Sequence, residues 1–167
     1  MKTIYLIGFM GVGKTTIGSA LGRKLDIPVV DTDHAIVEQA QKSIPEIFAE
    51  DGEETFRTME GIVLQRLSKP NTVITTGGGI VLNEDNIEYM RESGIVVLLE
   101  TDFNLLWKRI RRDPNRPLAS SSSKESLKRL YESRKQQYVK AAHICINTSN
   151  YPVEKTVDSI LLRLKER

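Results

Sequence analysis

The 167-residue sequence predicts an α/β fold, a five-stranded parallel sheet flanked on both faces by helices in a single domain spanning 1–167. Three observations carry that prediction. Short, wholly apolar runs alternate with longer amphipathic segments, the signature of strands buried on both faces and joined by crossover helices. A glycine-rich pattern ending in Gly-Lys-Thr follows the first apolar run directly. No internal repeat and no interdomain linker breaks the order.

Thr3–Ile7 reads as a buried strand, and Lys14–Leu25 as a helix whose Ile17, Leu21 and Leu25 share one face. Residues 28–30 form a short second strand running into Asp31-Thr-Asp33, followed by a helical region. Ser43 with Glu46 three residues on has the spacing of a capping box, and so opens a short helix. Glu53–Leu67 is helical, with Phe56, Ile62, Val63 and Leu67 expected inward. Residues 72–75 form the third strand, 84–92 a helix, 95–99 the fourth strand and 102–112 a helix. Lys124–Ala141 is a longer helix and 143–146 the fifth strand, with Cys145 expected in the core. Pro152 suits the first turn of a last helix reaching about residue 164. The one irregular stretch, Asp-Pro-Asn-Arg-Pro-Leu-Ala-Ser-Ser-Ser-Ser over 113–123, is expected to be a mobile loop.

Composition bounds the function classes. Hydrophobic residues make up 40% and charged residues 28%, as in a soluble globular protein, and the net charge is only +2. No global case for nucleic acid follows. Charge is uneven, however: residues 108–135 hold ten Lys and Arg against Asp113, Glu125 and Glu132. Such a segment either meets a polyanion or is a solvated basic face. Cys145 is the sole cysteine, so no intrachain disulfide framework exists and a reducing cytoplasm is expected. The start, MKTIYLIGFMG, superficially resembles a signal peptide, but glycines break its apolar run. No run nears the 18 or so apolar residues of a membrane span.

Gly8-Phe-Met-Gly-Val-Gly-Lys-Thr15 matches G-x-x-x-x-G-K-[ST] at every fixed position, after a strand and at the start of a helix. Glycines there let backbone N–H groups wrap phosphates, while the helix N-terminus favours negative charge. Gly11, Val12, Gly13, Lys14, Thr15 and Thr16 are therefore expected to bind a nucleoside triphosphate, with Lys14 on the β- and γ-phosphates and the Thr15 hydroxyl on Mg²⁺. The D-x-x-G and N-K-x-D strings of a GTPase switch do not occur. Asp31 and Asp33 are expected at the carboxyl end of the second strand, beside the P-loop strand, where open parallel sheets bind ligands. Two apart on an extended chain, they would point the same way, one assisting Mg²⁺ and the other facing an acceptor hydroxyl. The plainer reading makes one of them a helix cap. Val-Ile-Thr-Thr-Gly-Gly-Gly-Ile-Val over 73–81 places three glycines after the third strand, either as a turn or as bare backbone for close approach.

Taken together and in order, the P-loop, the Asp31–Asp33 pair, Phe56-Arg-Thr-Met-Glu60, Thr76-Gly-Gly-Gly79, Arg116-Pro-Leu118 and Arg134-x-x-x-Tyr138 resemble a shikimate kinase over nearly the whole chain. The resemblance implies a three-layer P-loop kinase fold with a mobile lid at about 112–124 and an acceptor region at about 33–61. It implies transfer of the γ-phosphoryl group of ATP to the 3-hydroxyl of shikimate, with Mg²⁺, in aromatic amino-acid biosynthesis. It also implies roles. Lys14, Asp33 and Arg116 would be catalytic, Asp33 holding and activating the hydroxyl and Arg116 reaching the ATP phosphates. Arg57 and Arg134 would bind the shikimate carboxylate, Glu60 would steady Arg57, and Gly78 and Gly79 would lie against the ring, with Gly79 N–H donating. Thr15 and Asp31 would serve the metal, Asp31 through water. Arg109, with Arg112 as the alternative, and Pro152 would flank the adenine. Partners are then ATP and shikimate only, without nucleic acid or membrane, and the chain is expected to be a monomer. The rival readings are another small-molecule P-loop kinase, such as a gluconate-kinase-like enzyme, and a catalytically idle ATP-binding module.

Overall fold

A computed structural model of the chain describes residues 1–113 and 122–167. Five parallel strands, β1 (Thr3–Ile7), β2 (Val29–Asp31), β3 (Val73–Thr75), β4 (Gly94–Glu100) and β5 (Ile144–Asn147), lie in the order β2-β3-β1-β4-β5. All five residues of β1 are buried, because it is central and covered on both faces. Side chains alternate across it. Leu6 meets α1 (Lys14–Leu25), where a Cβ on Gly18 would lie 3.4 Å from Leu6 Cδ1. Tyr5 points to the other face, donating to Ser68 Oγ at 2.8 Å and sharing a 2.7 Å bond with Ser93 Oγ. Those serines end α4 (Glu53–Leu67) and α5 (Glu84–Ser93), so one buried tyrosine ties two helices to the sheet.

The expected adjacency of β2 and β1 is wrong. β3 inserts between them, pairing Ile4 with Val73 on one side and Val29 with Val73 on the other. After β2 the chain runs through α2 (Thr32–Ala40), α3 (Ile44–Glu50) and α4 before β3 takes the inner position. The three helices bury a satellite core of Ile36, Ile47, Phe56 and Val63, separate from the main core around β1. The Ser43 capping box is present as expected, with Ser43 Oγ accepting from Glu46 N and Ser43 N donating to Glu46.

Further along lie a 3₁₀ turn (Ile80–Leu82), α6 (Phe103–Arg112), α7 (Lys124–Ala141) and α8 (Val153–Lys165). Three smaller expectations fail. Ile62 is 58% exposed, its place in the α4 interior taken by Leu64 and Glu60. Cys145 is exposed, because β5 is an edge strand whose Ile144 and Ile146 face inward and whose alternate residues face out. Pro152 is the N-cap of α8 and not in its first turn. Among the described residues no helix is long and apolar enough to cross a membrane.

Candidate active site

The P-loop bridges β1 and α1. Gly11 and Gly13 have φ of 78° and 103°, backbone that side chains rarely adopt, so the loop can turn its N–H groups toward one centre. Lys14 Nζ donates to the Gly8 carbonyl at 2.7 Å and the Phe9 carbonyl at 3.1 Å, which folds the ammonium back over the loop. Thr15 and Thr16 are exposed in the first turn of α1. A cavity of about 530 Å³ opens over Gly11–Thr16 and is walled by Arg109 and Arg112 of α6 and by Tyr151 and Val153. Arg109 donates to the carbonyls of Gly11 and Val12 at 3.2 and 3.4 Å. Both candidate arginines therefore line the cavity over the P-loop, and Pro152 sits between two of its wall residues. Tyr151 is an aromatic wall residue that the sequence reading missed. Its number alone gave no sign, because only the fold brings the β5–α8 connection beside the P-loop.

Asp31 and Asp33 are not two carboxylates on one extended strand. Asp31 ends β2 and is the N-cap of α2, with Oδ1 accepting from His34 N at 2.9 Å and Oδ2 from the Thr75 hydroxyl at 2.6 Å. The cap alternative thus holds for Asp31. Asp33 lies in the first turn of α2, where helical backbone turns it away from Asp31 and toward the glycines after β3.

Those glycines are a floor with charged groups standing on it. A Cβ on Gly77 would come within 2.6 Å of Asp33 Oδ1 and 2.9 Å of Glu60 Oε2. One on Gly79 would lie 2.7 Å from Arg57 Cζ, and one on Gly78 would lie 3.6 Å from Arg134 Nη1. Gly78 also abuts the P-loop, 3.6 Å from Met10 N and 3.7 Å from the Gly8 carbonyl by the same measure. The turn is fixed by Gly77 N donating to Thr32 Oγ1 at 3.1 Å and by Tyr138 Oη donating to the Gly78 carbonyl at 2.5 Å. Three helices, α2, α4 and α7, thus deliver Asp33, Arg57, Glu60 and Arg134 to one patch of bare backbone beside the P-loop. Arg116 lies outside the described residues, as does most of the expected lid.

Arg57 is held by Glu60 at 3.0 Å and Glu53 at 3.4 Å, with its Cζ 5.2 Å from the Phe56 ring centroid. Glu60 is 1% exposed, and burial pushes its carboxyl above the usual range against the opposite pull of Arg57. Arg57 Nε, Glu60 Oε2, Arg134 Nε and Gln137 Oε1 are buried without a hydrogen-bond partner among the described residues. Buried polar atoms are normally bonded, so a cluster of exceptions marks where a polar ligand completes the set. Two arginines and two carboxylates around a glycine floor suit a small molecule carrying both a carboxylate and hydroxyl groups.

The oxygens present also fit a hard divalent cation. Thr15 lies one helical turn before Gly18, and Gly18 packs on Thr75, a Cβ there reaching to 2.5 Å of Thr75 Cγ2. Thr75 in turn holds Asp31. The chain of contacts places the Asp31 carboxylate at the end of β2 beside the face of α1 that carries Gly18, in the helix that Thr15 helps to open. No group of three His, Cys, Asp or Glu residues stands ready to hold a metal among the described residues, so nucleotide oxygens and water would supply the other ligands.

A family model described as shikimate kinase matches residues 10–165. A shikimate kinase of Bacillus cereus (strain G9842) is 46% identical over 167 residues, covering 100% of this chain and 98% of that protein. The shikimate kinase of Enterococcus faecalis (strain ATCC 700802 / V583) is 42% identical, covering 99% and 100%. Among solved structures, shikimate kinase from Acinetobacter baumannii in complex with shikimate superposes with a TM-score of 0.92 at 37% identity, over 100% of this chain and 95% of that one. A gluconokinase from Sinorhizobium meliloti 1021 reaches a TM-score of 0.59 at 16% identity, over 99% and 94%, a likeness of fold alone.

Proposed function

The chain belongs to the shikimate kinase family, and on that premise we propose how its own side chains carry the γ-phosphoryl group of ATP to the 3-hydroxyl of shikimate. It is an ATP-dependent small-molecule kinase. The observation that carries the assignment of roles is the convergence of Asp33, Arg57, Glu60 and Arg134 on Gly77–Gly79, with Gly78 against the P-loop.

ATP occupies the cavity over Gly11–Thr16, its phosphates wrapped by loop N–H groups and its base between the α6 arginines and the Tyr151–Val153 segment. Lys14 leaves its carbonyl partners for the β- and γ-phosphates. Shikimate lies on the glycine floor, with its carboxylate between Arg57 and Arg134 and its ring close to Gly79 N–H. Asp33 orients the 3-hydroxyl and takes its proton as the oxygen attacks γ-phosphorus. ADP departs with the bridging oxygen, and the ester product carries the transferred phosphoryl group. Phosphoryl transfer needs little covalent help beyond such alignment and cationic surroundings. When bound, Mg²⁺ would neutralise phosphate charge, held by Thr15 directly and by Asp31 through water. In this reading the chain is a monomer, and a lone exposed thiol suits a reducing cytoplasm.

The test measures ADP release with shikimate, gluconate, nucleoside monophosphates or no acceptor, each with and without Mg²⁺. Release that depends on both shikimate and Mg²⁺ is expected. Equal turnover with gluconate, or release indifferent to any acceptor, would overturn the reading.

A further inference from the structure

The Arg134–Tyr138 motif contains a group that the reaction as described leaves idle. Tyr138 is 3% exposed, one helical turn after Arg134 on α7. Its hydroxyl donates to the Gly78 carbonyl, and a Cβ on Gly78 would lie 3.6 Å from Arg134 Nη1, so the guanidinium stands against the same glycine. Gly78 is also the glycine that abuts Gly8 and Met10 of the P-loop. The same helix carries Tyr131, whose ring packs edge-on against Phe9 of the P-loop at 5.4 Å between centroids. We infer that Tyr138 is a positioning residue for the acceptor: by holding the Gly78 carbonyl, its hydroxyl keeps the glycine floor, against which the Arg134 guanidinium stands, in one register relative to the P-loop. This inference rests on the proposed role of Arg134 in binding the shikimate carboxylate.

The physical case is one of satisfiability. Arg134 Nε has no partner among the described residues, so its orientation depends on the surface it stands against, the Gly78 floor. The phenol is desolvated and its pKa is pushed up to about 12, so it stays a neutral hydroxyl that can donate to the Gly78 carbonyl. Phe at this position keeps the buried ring but removes that bond. The Gly78 carbonyl would lose its Tyr138 partner, and the floor beneath the guanidinium would be free to shift.

Tyr138→Phe should raise the shikimate KM by up to about tenfold, the scale of one buried hydrogen bond, while the ATP KM moves less than about twofold. A double-mutant cycle distinguishes positioning from general packing. If Tyr138 acts through Arg134, adding Tyr138→Phe to Arg134→Ala should change the shikimate KM by less than about threefold. Losses that multiply in the double variant, or an unchanged shikimate KM in Tyr138→Phe, would overturn the inference. Should the Phe chain not fold, ring-fluorinated tyrosine placed at 138 keeps the shape and lowers the phenol pKa, so that the oxygen loses the proton it donates to Gly78 at a lower pH than in wild type. The shikimate KM should then climb, relative to wild type, as pH rises through the fluorinated phenol's pKa, and invariance would sink the idea. A wild-type chain inactive on shikimate would instead overturn the functional reading and this inference with it, so the two failures are distinct.

Discussion

Gly77, Gly78 and Gly79 all lack the positive φ that usually explains glycine, so their role is spatial. Each stands where a charged side chain must cross the backbone. Gly79→Ala would put a methyl carbon 2.7 Å from Arg57 Cζ and displace the guanidinium. Because that neighbour is the end of a flexible side chain, the fold should survive, with a change in Tm of a few degrees at most. The shikimate KM should rise about tenfold or more, since a misaimed guanidinium no longer meets a carboxylate bidentately. Steady-state kinetics beside a thermal melt would check both halves, and a KM unaffected by the methyl group would remove Arg57 from the acceptor site. Asp33→Asn is the complementary change. Asn keeps the shape but takes no proton, and general-base help is typically worth about 10²–10⁴-fold. A loss of kcat in that range is expected, with ATP affinity measured by titration unchanged. Retention of more than half the wild-type kcat would leave Asp33 as a feature of the α2 terminus only.

At the scale of elements, the strands and the Ser43 cap were legible because each is written locally, as apolar runs or as a three-residue spacing. The order of strands was not, since β2 and β3 carry no mark of which one lies beside β1. That miss carried a second with it, the reading of Asp31 and Asp33 as neighbours on an extended chain. Helix α2 begins one residue after Asp31, and sequence reasoning places such boundaries poorly. Ile62 and Cys145 were misread because apolar type was taken for burial, whereas α4 had to turn the charged Glu60 inward to serve the site. The combined motif order, which no single motif supplies, named the P-loop, Asp33, Arg57, Gly78, Gly79 and Arg134 together, and the fold brings them to one place. Asp31 caps α2, and the metal role proposed for it separates from the cap by substitution. Asn is as good an N-cap as Asp, and its amide can donate to the Thr75 hydroxyl in place of accepting from it, so Asp31→Asn should leave Tm nearly unchanged while raising the Mg²⁺ concentration needed for half-maximal rate. Asp31→Ala should lose the cap as well, at about 0.5–2 kcal/mol of stability by urea unfolding. If the Asn variant shows the wild-type Mg²⁺ requirement, Asp31 serves structure alone.

For the molecule as a whole, the acceptor site is where folding stability is given up for function. Glu60 is the clearest instance. Its folded-state pKa is raised above the ordinary carboxyl value of 4.5, with burial the leading cause and Asp33 adding to it. The folded state therefore holds the proton more tightly than the unfolded state. In the window between 4.5 and the raised value the native protein carries more protons, so stability falls as pH rises through it. Above that window the protein bears the full burden of a desolvated carboxylate. Gln at position 60 has the same shape, can still accept from Arg57 and never ionises, while Arg57 keeps Glu53 as a charged partner. Glu60→Gln should thus match wild type at about pH 4 and exceed it in urea midpoint at about pH 7, the gap opening as pH rises. All other titrating groups are common to the two proteins, so the difference isolates Glu60. The same variant should be the poorer enzyme, with a higher shikimate KM, because a neutral amide no longer opposes the Arg57 charge or faces the ligand as an acceptor on both oxygens. Stability gained and acceptor affinity lost together is the trade that a preorganised polar site predicts. Were Glu60→Gln less stable than wild type by the same margin at both pH values, the Arg57 pairing would outweigh desolvation, and Glu60 would be a stabilising core ion pair and not a strained part of the site.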